Sequence, residues 1–568
     1  MWFVSNLERL DAEMAALKVL SSAGWIDQAE WQVERESGTL RVKLDFRVGE
    51  KVYEAWLSYP HVFPWAPPQI VPRREGELWS GHQWGVGGEL CLQIRSDNWS
   101  PLCTGADMVR SARSLLLTEC ASDEKGHRRT APSAHVLSEG QQMLWQFRRL
   151  VVMPAFLNKL MEQPAGCRCR LAISFSENAM IYTPATLMLA DGTEWADPSV
   201  PASFRGRAFT NGYAFPLATD DANASLAKRP DALTATELWS QFSVEPLTED
   251  MVLFLALPEE VYCHYLDAKK DTISKVGILK QEYAARLSPS NAVLASKRIG
   301  LIGAGSMGSK VAASIARAGA RKFLVIDDDL LTDGNLVRHD LDWNSVGAHK
   351  AEAIKKRLEL IAPGIDVQVL RMKLGGQTST KLLLSALSNL GTCDLIVDAS
   401  GSADGFNYAA AAAENYGIPM VWGSVFAGGY GGYIARSRPR VDPGPFAART
   451  EISNWCANPE FPEPPAAAEI DYGAGKEGQP PMIADDADVS VIASHLAKFA
   501  IDLLVKPDSS SYPYSAYMIG LRAEWIFTEP FATFPIPFTG GSSNTSSSLP
   551  LPVGEFGKIA RQYMRIMS

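Results

Sequence analysis

The sequence predicts a multidomain protein of mixed α+β and α/β class. It divides into a small α+β domain over residues 1–160, a β-rich spacer over 161–285 and an α/β domain over 286–568. Three observations carry this. A chain of 568 residues is longer than one hydrophobic core organises, since domains run to roughly 150 residues each. Near the N-terminus a helical apolar stripe gives way to alternating apolar and polar runs, the order of an α+β unit. Near residue 300 a short apolar run enters a glycine-rich turn and then a helical pattern, the strand–turn–helix order of a nucleotide-binding α/β unit.

Composition narrows the class. The apolar share of 46% and the charged share of 21% are those of a globular protein, and no run reaches the roughly 18 apolar residues of a membrane span. The opening MWFVSNLERLDAEMAALKVL mixes Glu and Asp into its pattern where a signal peptide has a basic start and an apolar block, so a cytoplasmic location is expected. Eight cysteines (Cys91, Cys103, Cys120, Cys167, Cys169, Cys263, Cys393, Cys456) are too sparse for a disulfide framework and read as reduced thiols. There is no C-x-x-C pair, and Cys167 and Cys169 stand too close for the usual zinc spacing. A net charge of -10 argues against nucleic-acid binding, which rests on Lys and Arg neutralising phosphates. His127-Arg128-Arg129 reads as a solvated loop.

In the first region Leu7, Leu10, Met14, Leu17 and Leu20 recur every three or four residues, on one face of a helix that Gly24 ends. The alternating runs WQVERES, LRVKLDF and VYEAWLSYP follow, separated by Gly-containing turns, and predict a three-stranded antiparallel meander. Pro60, Pro64, Pro67 and Pro68 then impose a rigid extended segment without regular pairing. Residues 89–101, ELCLQIRSDNWSP, put Cys91 among polar neighbours instead of an apolar run. Exposure and Arg95 favour a thiolate there, against the alternative of a half-buried cysteine at a strand end.

Helix, meander, proline-rich segment and Cys91-Leu92-Gln93-Ile94, followed at a spacing of eight by Trp99-Ser100-Pro101, resemble the ubiquitin-conjugating enzyme family over about residues 1–160. Tyr59-Pro60 with Pro67-Pro68 resembles that family's Y-P-x-x-P-P segment, with residues inserted. The resemblance implies an acceptor cysteine at Cys91, with Trp99 part of its signature. The family's His-Pro-Asn is replaced by His82-Gln83-Trp84, so the oxyanion donor is expected from His82, Asn98 or a backbone N–H.

A thioester cannot form from a free carboxylate without prior activation, and residues 297–308, KRIGLIGAGSMG, address that need. Gly303, Gly305 and Gly308 allow close backbone approach, and the helix after them presents its N-terminus to phosphate. Asp327, after the run RKFLVI, stands where an acidic residue binds a ribose. Arg338 and Lys350 are fixed charges suited to polyphosphate, for which hydride transfer has no use. The series Asp327-x-Asp329, Asn335-Leu336-x-Arg338 and Gly347-x-x-Lys350 resembles the ThiF/MoeB-type adenylating family, which includes the ubiquitin-activating enzymes, over roughly residues 286–535.

That resemblance implies a Rossmann-like domain in which Asp329, Asn335, Arg338 and Lys350 line an ATP site. A protein's C-terminal carboxylate would attack the α-phosphate, giving an acyl adenylate and pyrophosphate. The family's D-x-x-D-N is here Asp398-Ala399-Ser400-Gly401-Ser402, so Asp398 becomes the expected Mg²⁺ ligand with Asp404 in reserve, against the alternative that Asp398 caps the next helix. Of the cysteines after the core, Cys456 in the Pro-rich NWCANPEFPEPPAAAE is the expected relay thiol, whereas Cys393 precedes the buried-looking DLIVDA. Homodimerisation through this domain is expected, with Arg286 the residue lent across the interface.

Residues 161–285 carry β-like runs, among them the core-strand candidate Met251–Pro258, and no catalytic pattern. TGGSSNTSSSLP reads as a flexible stretch, and GEFGKIARQYMRIMS as a short terminal helix. Together the two resemblances imply a fused activating and conjugating enzyme like those of bacterial antiphage operons. Its conjugated protein would be a ubiquitin-like protein or, as in CBASS, a cGAS-like nucleotidyltransferase, ligated to a target lysine. The alternatives are activation of a sulfur-carrier protein and a non-catalytic scaffold for a ubiquitin-like partner.

Overall fold

In the computed structural model the described residues are 1–85, 87–120, 138–144, 146–176, 180–204, 209–219, 223–228, 230, 233–280, 286–426, 428–463 and 484–539. His127-Arg128-Arg129, nearly all of TGGSSNTSSSLP and the whole of GEFGKIARQYMRIMS lie outside them. The chain forms two units, Met1–Trp145 and Gln146–Ser568. Among the described residues no helix is long and apolar enough to cross a membrane.

The first unit opens with α1 (Trp2–Ser5) and α2 (Leu7–Ser22), the latter capped by Asn6, whose side chain accepts from the Arg9 N–H at 3.0 Å. Gly24, at φ +74°, turns the chain into the sheet. Strands β1 (Ile26–Val33), β2 (Leu40–Val48), β3 (Lys51–Tyr59) and β4 (Gln69–Pro72) pair antiparallel in that order. Along β2 the alternation is realised, with Leu40, Val42, Leu44, Phe46 and Val48 buried. The ribbon β5 (Gln83–Trp84) and β6 (Glu89–Leu90) precedes Cys91, α3 (Gly105–Cys120) packs on α2, and α4 (Glu139–Gln142) follows.

Two expectations for this unit need correction. The sheet has four strands, because QIVP at the end of the proline-rich segment pairs with β3: Pro72 is its last residue and Pro67 and Pro68 precede it, so the prolines flank the ladder. On α2, Leu7 and Met14 are exposed at 63% and 45%, and the buried face carries Glu13 beside Leu17 and Leu20. The Glu13 carboxylate accepts from Tyr59 Oη at 2.9 Å and the Gly105 N–H at 2.7 Å, and pairs with Arg9 at 2.8 Å. Both hydrogen bonds fall on Oε2 and Oε1 has only the Arg9 ion pair, and burial raises the carboxyl's pKa against these partners.

The second unit begins earlier than residue 161. Strand β7 (Arg149–Val152) and α5 (Pro154–Met161), expected in the first domain, belong to it, because β7 pairs in parallel with β9 (Ile181–Met188) and with β15 (Gly277–Lys280). Strands β8 (Cys169–Ser176), β10 (Glu194–Ala196), β11 (Phe209–Pro216), β12 (Met251–Ala256), β13 (Val261–Asp267) and β14 (Thr272–Lys275) complete a nine-stranded sheet. Its order is β14-β13-β12-β11-β8-β9-β7-β15, with β10 on β9. Helices α6 (Ala224–Lys228) and α7 (Ala235–Ser240) precede β12. Every residue of β12 is buried, with Val252 and Phe254 toward α5 and Leu253 and Leu255 toward α7. The core strand expected at Met251 is therefore covered on both faces.

The α/β part contains β16 (Arg298–Ile302), α8 (Ser306–Ala318), β17 (Lys322–Ile326), α9 (Lys350–Ile361), β18 (Asp366–Leu370), α10 (Thr380–Leu390), β19 (Leu395–Asp398), α11 (Ala403–Tyr416) and β20 (Met420–Val425). After them come β21 (Gly431–Ser437), α12 (Pro445–Cys456), α13 (Asp486–Val505), β22 (Ala516–Gly520) and β23 (Thr533–Pro535). The sheet order is β18-β17-β16-β19-β20-β21-β22-β23, parallel through β20 and antiparallel beyond. Ile299 and Leu301 face α8, α9 and α13, while Ile302 and Ile396 face α10, α11 and α12. Strand order reverses between β16 and β19, which opens a crevice at their C-terminal ends.

Candidate functional site

The glycine turn between β16 and α8 occupies that crevice. Gly303 sits at φ +84°, and a Cβ there would lie 2.5 Å from the Ser400 Cα and 2.7 Å from the Ala399 carbonyl oxygen. A Cβ on Gly308 would run into the Gly303 carbonyl. Both positions need the missing side chain so that the turn can lie against β19 and α8 against the turn. Gly305, the N-cap of α8, has nothing within 4 Å of where its Cβ would be. The unsatisfied N–H groups at the positive end of α8 therefore face open space, the arrangement that holds an anion.

The space is a cavity of about 410 Å³ whose lining includes Gly305, Asp329, Asn335, Arg338 and Lys350, five of the residues expected at an ATP site. The structure brings these together from four segments of sequence. Lys350, the first residue of α9, is buried and its Nζ pairs with the Asp329 carboxylate. Burial works to raise the Asp329 carboxyl, but the adjacent ammonium outweighs it and holds the group below the usual carboxylate range. The Asn335 Oδ1 accepts from the Thr332 N–H at 3.0 Å and shapes the loop that presents Arg338. Asp327, expected at the ribose, is not among the residues that line this cavity. One of its carboxylate oxygens accepts from the Ala304 N–H at 2.7 Å, the other from the Asp329 N–H at 2.9 Å, and burial raises its pKa. Both oxygens thus brace the backbone of the turn and of the Asp329 segment.

Asp398 ends β19, one residue before the lining segment Ala399, Ser400 and Gly401. It does not cap α11, since Ser402 does so by accepting from the Gly405 N–H at 2.9 Å. Its Oδ1 accepts from Ser400 Oγ at 2.7 Å, and burial raises its pKa. Among the described residues no three His, Cys, Asp or Glu side chains cluster as a metal cage. One desolvated carboxylate next to the segment that lines this cavity nevertheless suits Mg²⁺, which takes one or two carboxylates and completes its shell with phosphate and water. Asp404 lies in the first turn of α11.

Cys91, in the first unit, is half-buried, and its N–H donates to the His82 carbonyl at 2.7 Å. Two expectations change here. Arg95 does not activate the thiol: its guanidinium is bound by Asp97, with Nε–Oδ1 at 2.8 Å, and burial pushes the Cys91 thiol up. Asn98 holds its own loop, with Oδ1 accepting from the Arg95 N–H at 2.7 Å and Nδ2 donating to the Gln93 carbonyl at 2.8 Å. His82 Nε2 lies 3.7 Å from the Glu119 carboxylate. Trp99 Nε1 donates to the Pro64 carbonyl at 2.7 Å, tying the W-S-P segment to the proline-rich one.

Cys456 was expected in an irregular loop and is instead the last residue of α12, half-buried. Burial raises its pKa, and the negative end of the helix also disfavours a thiolate. Cys393 is buried, as expected. Arg286 is exposed.

Sequence reasoning missed three contributors. Lys310 of α8 donates to the Arg338 carbonyl at 2.8 Å and pairs with Asp486 at 2.8 Å, and its place on the helix after the glycine turn was the available signal. His339 adjoins Arg338 in the quoted motif but received no role. Glu13 sits in a run read only for its apolar period.

Residues 284–510 match the model of the ThiF family. Over 133 residues the chain is 32% identical to the ATP-dependent ubiquitin transferase-like protein Cap2 of Pseudomonas aeruginosa, a match covering 23% of this chain and 22% of that protein. Over 156 residues it is 31% identical to the sulfur carrier protein ThiS adenylyltransferase of Bacillus subtilis, covering 27% of this chain and 44% of that one. Each match thus covers less than half of the relative's own length. Among solved structures, E. coli MccB with ATP aligns at a TM-score of 0.31 and 16% identity, over 44% of this chain and 66% of that one.

Proposed function

We propose that the chain activates the C-terminal carboxylate of a protein with ATP and passes it, through a thioester on Cys91, to an amine. The observation that carries this reading is the cavity in which Lys350, Arg338, Asp329 and Asn335 meet the N-terminus of α8. The likeness of part of the chain to an ATP-dependent ubiquitin transferase-like protein supports the same reading.

In the first step a carboxylate oxygen attacks the α-phosphorus and pyrophosphate leaves. Charge growing on the phosphoryl oxygens is met by the Lys350 and Arg338 cations and by the α8 N–H groups, all fixed before reaction. Asp398 would hold Mg²⁺, which when bound neutralises charge on the phosphates. In the second step the Cys91 thiolate attacks the acyl carbonyl, AMP leaves, and the carboxylate has become a thioester. In the third, an amine, most simply a lysine, attacks the thioester and the thiolate leaves. Burial raises both thiols, but Cys456 also sits at the negative end of α12, and the scheme therefore takes direct transfer to Cys91 over a relay. The conjugated protein is a ubiquitin-like protein or a cGAS-like nucleotidyltransferase, in bacterial antiviral defence. The activating domain acts as a homodimer.

Intact mass of the chain incubated with ATP and a protein encoded beside it tests the scheme. A thiol-labile adduct of that protein's mass, lost in Cys91→Ala, supports it. Pyrophosphate exchange without any adduct would confine the activity to adenylation, as in activation of a sulfur carrier.

A further inference from the structure

His339 lines the same cavity, is only 8% exposed, and has both ring nitrogens engaged. Nδ1 accepts from the Leu341 N–H at 3.2 Å, which leaves Nε2 to carry the proton and donate to the Ala304 carbonyl at 2.8 Å. The ring is therefore the neutral Nε2–H tautomer. Burial lowers its pKa, and the Lys350 and Lys310 ammonium groups act in the same direction, against the hydrogen bond to Ala304 and the Asp340 charge.

Ala304 is the middle residue of the phosphate-facing turn, and it is held from both sides. Its N–H goes to Asp327 and its carbonyl to His339. A trans peptide is planar with its C=O and N–H opposed, so fixing the Ala304 carbonyl fixes the direction of the Gly305 N–H in the same peptide unit. Gly305 borders the open space at the head of α8 and, being glycine, would rotate freely without that hold.

We infer that His339 is a positioning residue for nucleotide phosphate, acting by clamping the Ala304–Gly305 peptide so that the Gly305 N–H is aimed before the nucleotide arrives. This rests on the reading of the cavity as an ATP site. It touches no reacting atom, and it makes the loop that supplies Arg338 also the loop that sets the glycine turn.

The test is equilibrium binding of ATP to the full chain in wild type, His339→Leu and His339→Gln, with affinities taken on the folded fraction from a melting curve. Leu fills similar space without a donor, whereas Gln restores an N–H donor within reach of the Ala304 carbonyl. The expected result is about a ten-fold loss of affinity in His339→Leu, as befits a turn left free to rotate, and recovery of most of that loss in His339→Gln. AMP, with a single phosphate, should lose less than ATP in the Leu variant. Equal ATP affinity of the Leu and Gln variants, beside a wild type that binds, overturns the clamp alone. A wild type that binds no ATP overturns the nucleotide reading and the clamp with it.

Discussion

Lys350→Met separates what the lysine does for the site from what it does for the fold. Methionine keeps an unbranched stem in the buried space and removes only the charge. The partner lost is Asp329, whose side chain is 66% exposed and is re-solvated once the ammonium is gone. The pair is therefore worth about 0–1 kcal/mol to stability, and the melting temperature should move by no more than a few degrees, about the shift such an energy produces. For the reaction, the variant removes a fixed cation from a site that must stabilise phosphoryl charge. Loss of one preorganised group of this kind costs about 3–4 kcal/mol, or roughly 10²- to 10³-fold in rate. Isotope exchange between pyrophosphate and ATP, driven by the cognate protein, reads this directly. Exchange within a few-fold of wild type, or a collapse that merely tracks a lost melting transition, would refute the assignment of Lys350 to the phosphates.

Three further outcomes are expected. Glu13→Leu leaves the Tyr59 hydroxyl, the Gly105 N–H and Arg9 without their shared acceptor, and should destabilise the first unit by about 3–5 kcal/mol in a urea melt; a change under 1 kcal/mol would show the network to be dispensable. Because burial raises the Cys91 thiol, its alkylation by iodoacetamide, followed by peptide mass spectrometry, should climb with pH through a midpoint above the ordinary thiol range. A midpoint below that range would mean an activating group has been overlooked. Cys456→Ala should keep the thioester on Cys91, and loss of that adduct with pyrophosphate exchange intact would restore the relay.

The glycine turn, Asp329, Asn335, Arg338 and Lys350 were legible because each is marked by residue type and short spacing, and the fold of a β-α-β unit leaves few places for them to go. The strands of the first region were legible for a similar reason, since a period of two survives in LRVKLDFRV. Environment was harder to read. Arg95 looked available to Cys91, but Asp97 two residues away takes its guanidinium in two hydrogen bonds. Cys456 looked mobile because of prolines that follow it, whereas the run PFAARTEISNWC before it has the propensity and the N-terminal proline of a helix. Glu13 was invisible to a hydrophobic count, since its partners, Tyr59 and Gly105, are distant in sequence and meet it only on folding.

The pairing of β7 with β15 makes one edge of the middle sheet wait for residues that are synthesised late. Arg149 and Leu150 find Gly277 and Ile278, so the edge beside β7 stays unpaired during synthesis until those late residues leave the ribosome. Throughout that interval MVLFLA, uncharged and free of proline, lacks part of the layer that will cover it, which is the composition and exposure that seeds intermolecular strand pairing. Shortened versions of the chain made for study should therefore be cut outside residues 146–280. A cut between β12 and β13 would strand β12 with an open edge, since β13 is its neighbour on the side away from β11, and the product would collect in inclusion bodies.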